Sequence, residues 1–229
     1  MEPSAWPPDR DFFFRPVTAH RPLFQGDVFT DVPIVKAPAG GAFAQDPRIT
    51  VERRTVALLS YPCDVFTPDG TIGRSQQVAV VREAEKLRVP PDWQGAFTTC
   101  PLPDLFGDGK LWAADFGALS PVDRSYLTPD NRIACLSAWG WAYFRQRLSL
   151  CFTRALIALD PLIAVGDDTW QEIELWEEWN RRGQPVEGFQ PWLDALDPKL
   201  GFRRRVALRN GNGSILLQRL PAATGRALP

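Results

Sequence analysis

The residues of this chain that can do chemistry gather around one short apolar run. Arg53 and Arg54 precede it, and Ser60, Cys63 and Asp64 follow it, in the stretch RRTVALLSYPCD. Guanidinium groups stabilise developing negative charge, a hydroxyl donates a hydrogen bond, and a thiolate attacks electrophiles. A carboxylate whose pKa is raised by burial takes up a proton. A nucleophilic Cys63 needs a base, and His20 is the single histidine in 229 residues, so it is the one imidazole that can serve. The same count excludes a His-rich metal site, an HExxH metalloprotease and paired-histidine catalysis within one chain. No GxSxG, P-loop or GxGxxG pattern is present. Asp27, Asp31 and Asp64 are carboxylates of the kind magnesium takes. Their scattered spacing gives no metal site, and no cofactor is implied.

These groups need elements to position them. Val56 to Leu59 is continuously apolar, which suits a strand buried on both faces. Pro62 cannot donate to a sheet ladder and ends it. The polar end then reads either as a site or as a capped turn, with Asp64 as an Asx cap. Leu23 to Val35 forms a first strand with a Gly26-Asp27 turn at its start, and Pro33 places it at an edge or a strand end. Lys36 to Pro47 is a loop with glycines. Gln77–Val81, Lys110–Phe116 and Arg132–Leu136 are further strands, with Val89–Pro103 irregular and Leu119–Asn131 a connection.

Ser137 opens a helix whose stripe is Trp141, Phe144, Leu148, Phe152, Ala155 and Leu159, ended by Pro161. Arg145, Arg147 and Arg154 fall off the stripe, as solvated arginines or as a phosphate-facing row. Thr169 with Glu172 marks the start of an acidic helix with Trp170, Ile173, Trp176 and Trp179 on one face. That face packs on the body, or else Trp176 and Trp179 form a partner surface. A short helix runs from Phe189 to Leu196. Arg203–Leu208 and Ser214–Leu220 flank a hairpin turn at Asn210–Gly213.

The chain is 45% hydrophobic and 23% charged with net charge −1, so no global field draws it to nucleic acid or membrane. Its four cysteines are far apart, without CxxC, which excludes a thioredoxin-like or zinc-ribbon site. No run approaches a membrane span and no signal peptide is read, so a reducing cytoplasm is expected. The fold class expected is α+β. A small, strongly bent β-sheet or barrel is packed by a long helix, with a C-terminal helical and β-hairpin extension. The parts are an arm at 1–22, with Phe12-Phe13-Phe14 packed across the body, a core with its closing helix at 23–160, and an extension at 161–229.

The order GDVF (26–29), a glycine-containing loop, RRTVALLS (53–60) and QVAVV (77–81) resembles the PemK/MazF toxin family. The resemblance spans roughly residues 23–155. It implies an SH3-like barrel and sequence-selective RNA cleavage without a metal, by a dimer paired with an antitoxin. Under that reading Arg53 or Arg54 stabilises the phosphorane, Ser60 or Thr67 donates a hydrogen bond, and Asp64 takes a proton. Lys36 joins Arg53 and Arg54 in binding RNA. The family is typically about half this length, and the Cys63-Asp64 turn is not its usual ending. The alternatives are a non-enzymatic interaction or assembly protein, with a protein partner or homodimer contact at Trp176 and Trp179, and a thiol enzyme built on Cys63 and Asp64.

Overall fold

Val56, Ala57 and Leu58 are fully buried and end the strand at the centre of the sheet. The computed structural model describes residues 9–36, 50–60, 74–87, 93, 96–185 and 188–196. A single helical turn, α1 (Arg10–Phe13), leads into β1 (Phe14–Arg15). The strands β2 (Val28–Lys36), β3 (Thr50–Leu58) and β4 (Ser75–Glu83) follow, then β5 (Thr99–Pro103), β6 (Leu111–Asp123) and β7 (Arg132–Leu136). The helices are α2 (Ala138–Thr153), α3 (Leu159–Arg181) and α4 (Phe189–Leu196). Among the described residues, one antiparallel sheet runs β1-β7-β2-β3-β4-β6-β5. The architecture is mixed α+β, a curled seven-stranded half-barrel with several helices.

Bulges supply the curl. The β2–β3 register shifts between Phe29 and Val32, where Asp31 takes φ 57°. The β4–β6 register shifts between Ala79 and Val80, whose partners are Leu119 and Asp115. Extra residues on one strand bend the sheet and increase its twist. β7 pairs with β2 only at Val28 and Phe29. Pro33 therefore lies inside β2 but beyond the reach of β7, where its missing N–H costs no ladder bond.

One sheet face carries small residues, Ala57, Ala79, Ala114 and Ala134, and the elements over it carry large ones. Trp141 and Phe144 of α2, Phe13 and Phe14 of the N-terminal arm, and Phe24 join them in one core. Gly140 of α2 lies against the Phe13 carbonyl, where a Cβ would collide with that backbone. Ser137 caps α2, accepting from the Gly140 N–H at 3.0 Å.

Several sequence expectations change here. α2 stops at Thr153, because Arg154 turns left-handed (φ 59°) and its N–H closes onto Leu150 O at 3.1 Å. Phe152 consequently stays 61% exposed instead of extending the buried stripe. Pro161 does not end a helix; it sits in the first turn of α3, where a missing N–H is harmless. Thr169 is then interior to α3 rather than its cap. Arg147 is not a solvated arginine. It is buried and donates to Thr99 O at 3.0 Å and to Ala96 O, tying α2 to the strand at the sheet edge. The segment read as irregular contains β5, and β6 continues to Asp123 where a connection was expected.

By its contacts the chain divides into Met1–Val186 and Glu187–Pro229. The expected boundary at 160/161 falls within the first turn of α3. α4 occupies the residues expected of it. The expected hairpin at 203–220 lies outside the described residues, as does most of the loop from Lys36 to Pro47. Among the described residues no helix is long and apolar enough to cross a membrane.

Candidate functional site

Consecutive residues of a strand face opposite sides of the sheet. On β3, Arg53 shares a face with Ala57, and Arg54 shares the other with Val56 and Leu58. One groove lined by both arginines, as the sequence suggested, is therefore not formed. Each guanidinium has its own carboxylate. Arg53 Nη1 donates to Asp31 Oδ2 at 2.6 Å and to Asp31 O at 2.9 Å, across the β2 bulge. Arg54 Nε donates to Glu52 Oε2 at 3.0 Å, and its Nη2 also reaches that oxygen. The Arg53 and Asp31 side chains are 61% and 65% exposed, so the pair lies in water.

Ser60 lies beyond the other end of β3, roughly 20 Å along the chain from Arg54 at about 3.3 Å per residue. Its Oγ accepts from the Gln77 N–H at 2.9 Å, and Leu59 N donates to Gln77 O at 2.8 Å. The hydroxyl thus completes the ladder with β4. Asp64, Cys63 and Thr67 lie outside the described residues. Lys36 ends β2 opposite Thr50. The structure therefore brings Arg53 to Asp31, which sequence reasoning had considered only for a metal. It does not bring Ser60 to either arginine.

The region that sequence reasoning missed is buried beside the Ser60 end. Gly26 takes φ 89°, and a Cβ there would overlap the Leu136 side chain. The Gly26-Asp27 turn is stitched to β3, with Gly26 N donating to Leu58 O at 2.8 Å and Leu58 N to Asp27 O at 2.9 Å. Asp27 is fully buried. Its Oδ2 accepts from Phe24 N at 3.1 Å and from Arg132 Nη1 at 2.9 Å. Arg132, the first residue of β7, also donates to Pro22 O at 3.0 Å and Arg21 O at 2.7 Å. Arg21 Nε stands 3.8 Å from Asp27 Oδ1, with its guanidinium over the rings of Trp170 (4.8 Å) and Phe24 (5.2 Å). Burial pushes the Asp27 carboxyl up, against the pull of Arg21 and Arg132. Burial lowers Arg21, with Asp27 opposing. The Gly-Asp dipeptide was visible as a turn; nothing local marked Arg132 as its partner.

The thiol reading finds no support in the described cysteines. Cys100 and Cys135 are buried, and burial pushes both thiols up, Cys135 to about 12. Neither forms a thiolate near neutrality. His20 is exposed, and its carbonyl accepts from Asn180 Nδ2 at 2.8 Å. Among the described residues no cluster of His, Cys, Asp and Glu could hold a metal ion. Trp176 and Trp179, considered for a partner surface, are only 7% and 8% exposed. The indole N–H of Trp179 donates to Pro185 O at 3.0 Å. Rings this buried offer no contact face, and the packing alternative holds.

No protein-family model matches the sequence, and no curated protein is significantly similar to it.

Proposed function

We propose that this is a PemK/MazF-like nucleic-acid-interacting protein that binds single-stranded RNA at the Arg53–Arg54 end of β3. The observation that carries the reading is the pair of exposed guanidinium groups on that strand, Arg53 beside exposed Asp31 and Arg54 beside half-buried Glu52. Such pairs contribute about 0–1 kcal/mol, so an RNA phosphate can replace the carboxylate at little cost. Arginine also matches phosphate with a bidentate fork. The segments carrying the family resemblance are neighbours in the sheet, which supports an SH3-like scaffold. The GDVF turn opens β2, β2 lies between β3 and β7, and β7 runs into a helix.

Endoribonuclease activity is the stronger form of the proposal. Metal-independent cleavage needs a cation for the phosphorane and a carboxylate for the 2′-hydroxyl proton. Arg53 and Asp31 place one of each 2.6 Å apart. By the family resemblance alone, Asp64 and Thr67 are the further candidates for proton transfer and hydrogen bonding, with a homodimer and a protein antitoxin as the expected partners.

The test is fluorescence anisotropy of labelled single-stranded RNA with the full chain at several salt concentrations, and gel analysis with and without chelator. Binding should weaken with salt, and Arg53→Ala with Arg54→Ala should flatten the salt slope by about 0.7 for each phosphate contact removed. Chelator-resistant cleavage lost in Asp31→Asn establishes the stronger form. Absence of binding at low salt sinks both.

A further inference from the structure

Asn131, the residue before β7, ties two segments together with one side chain. Its Nδ2 donates to Thr30 O at 3.0 Å and to Tyr126 O at 2.8 Å. Its Oδ1 accepts from Thr128 N at 2.9 Å and from Thr128 Oγ1 at 3.1 Å. Thr30 precedes Asp31 in the β2 bulge, and Asp31 holds Arg53. The segment from Arg124 to Asn131 is therefore pinned beside the Arg53–Asp31 pair. Two short 3-10 turns, Arg124–Tyr126 and Pro129–Asn131, and the buried Leu127 between them set its course.

What this segment presents to solvent is an aromatic ring and a cation. Tyr126 is 46% exposed, and among the described residues its ring meets no other ring and its hydroxyl no hydrogen-bond partner. Tyr143, by contrast, is buried and stacks on Trp139 at 5.3 Å. Arg124, two residues before Tyr126, is also exposed and has no ion-pair partner among the described residues. The adjacent carboxylate, Asp123, is engaged instead by Ser125 N at 3.0 Å, Ser125 Oγ at 2.8 Å and Arg74 Nε at 3.0 Å. Cations thus stand on both sides of an uncovered ring, Arg53 across the Asn131 bridge and Arg124 on the turn itself. Single-stranded nucleic acid is held in this way, with cations following the backbone and bases stacking on aromatic faces.

We propose that Tyr126 is the base-stacking platform of the RNA site and that Arg124 takes a neighbouring phosphate, so that the strand crosses from β3 onto the Tyr126 turn. This rests on the proposed RNA binding and adds to it a requirement for the base. Arg53 and Arg54 alone read charge, which any phosphate backbone offers. A ring reads the face of a base, which is free only where the nucleotide is unstacked. Tyr126 is a binding residue here, and Asn131 is a positioning residue that acts through the Thr30 and Tyr126 carbonyls.

The experiment is fluorescence anisotropy with the full chain, comparing labelled oligouridylate with an abasic ribose-phosphate chain of the same length. The oligouridylate should bind about fivefold to a hundredfold more tightly, the contribution of one stacked base. Tyr126→Ala should remove that difference and leave the affinity and salt slope of the abasic chain unaltered. Tyr126→Phe should keep it, since stacking uses the ring and not the hydroxyl. Arg124→Ala should do the reverse, lowering the salt slope by about 0.7 for both oligomers. The chain has three tyrosines, so with labelled tyrosine rings the Tyr126 signal is assigned by its loss in Tyr126→Phe. It should move upfield with oligouridylate and stay in place with the abasic chain, a reading that serves even if Tyr126→Ala does not fold. Absence of binding to either oligomer at low salt overturns the RNA reading and this inference with it. Oligouridylate binding that Tyr126→Ala leaves unchanged, or that leaves the Tyr126 ring signal in place, overturns this inference alone.

Discussion

At one end of β3, Arg53 and Arg54 sit in water beside Asp31 and Glu52, on opposite faces of the sheet. At the other, the strand's last residue is bonded to the Gly26-Asp27 turn, whose carboxylate is shut away with Arg132 and Arg21. The chemistry of the pairs is the same. The solvent differs, and that decides what each does. An exposed pair exchanges partners readily and contributes little to folding. A buried pair contributes little net attraction either, but losing one member strands the other, which fixes the geometry. The exposed end is thus suited to meeting a ligand, and the buried end to holding the arm, β2, β3 and β7 in one register.

The largest test of that contrast is Asp27→Ala, which leaves Arg132 and Arg21 without their carboxylate. Denaturant unfolding should show a loss of about 3–5 kcal/mol. A loss below about 1 kcal/mol would put the two ends of β3 in the same class. Trp176→Ala asks whether the face of α3 expected to meet a partner is core. It should cost about 3 kcal/mol by the same measurement, as truncation of a buried aromatic does. An unchanged midpoint would return that face to the surface. A double-mutant cycle on Arg53 and Asp31 should give a coupling of about 0.2–1 kcal/mol that declines with added salt. A coupling several times larger, indifferent to salt, would contradict the exchangeable pair that the proposed RNA binding relies on.

The smallest effect concerns Asp123, a half-buried cap. The Ser125 N–H and hydroxyl, with Arg74, hold its carboxyl at about 2, below its ordinary 3.8. A folded pKa below the unfolded one gives stability that is present above about pH 4 and lost as pH falls through about 2. Asp123→Asn should therefore lower stability slightly above about pH 4, flatten the profile between those values and leave the acidic end below about pH 2 nearly unaltered, as read by thermal melts across the range.

Elements declared by local chemistry were legible in the sequence. β7 and α4 have the bounds their apolar patterns suggested, and the Gly26-Asp27 turn stands where the dipeptide put it. Signals with two meanings misled. Proline is as much at home in a helix's first turn as beyond its last, and Pro161 was taken for the wrong one. The bulge opposite Ala79 and Val80 breaks the period of two in β6, so its second half read as a connection. For the candidate site, exposure of Arg53 and Arg54 was readable, but their opposite facing was overlooked although alternation dictates it. The pairing of Asp27 with Arg132 was invisible, because it joins residues brought together only when β2 and β7 pair.

Gly26 carries a further consequence for how this sequence can change. Its left-handed backbone and its closeness to Leu136 are two separate barriers to a side chain. Shrinking Leu136 would remove the collision but not the strain at φ 89°. Position 26 is therefore closed to single substitutions and to paired ones, and drift in this corner must proceed through the residues around the turn.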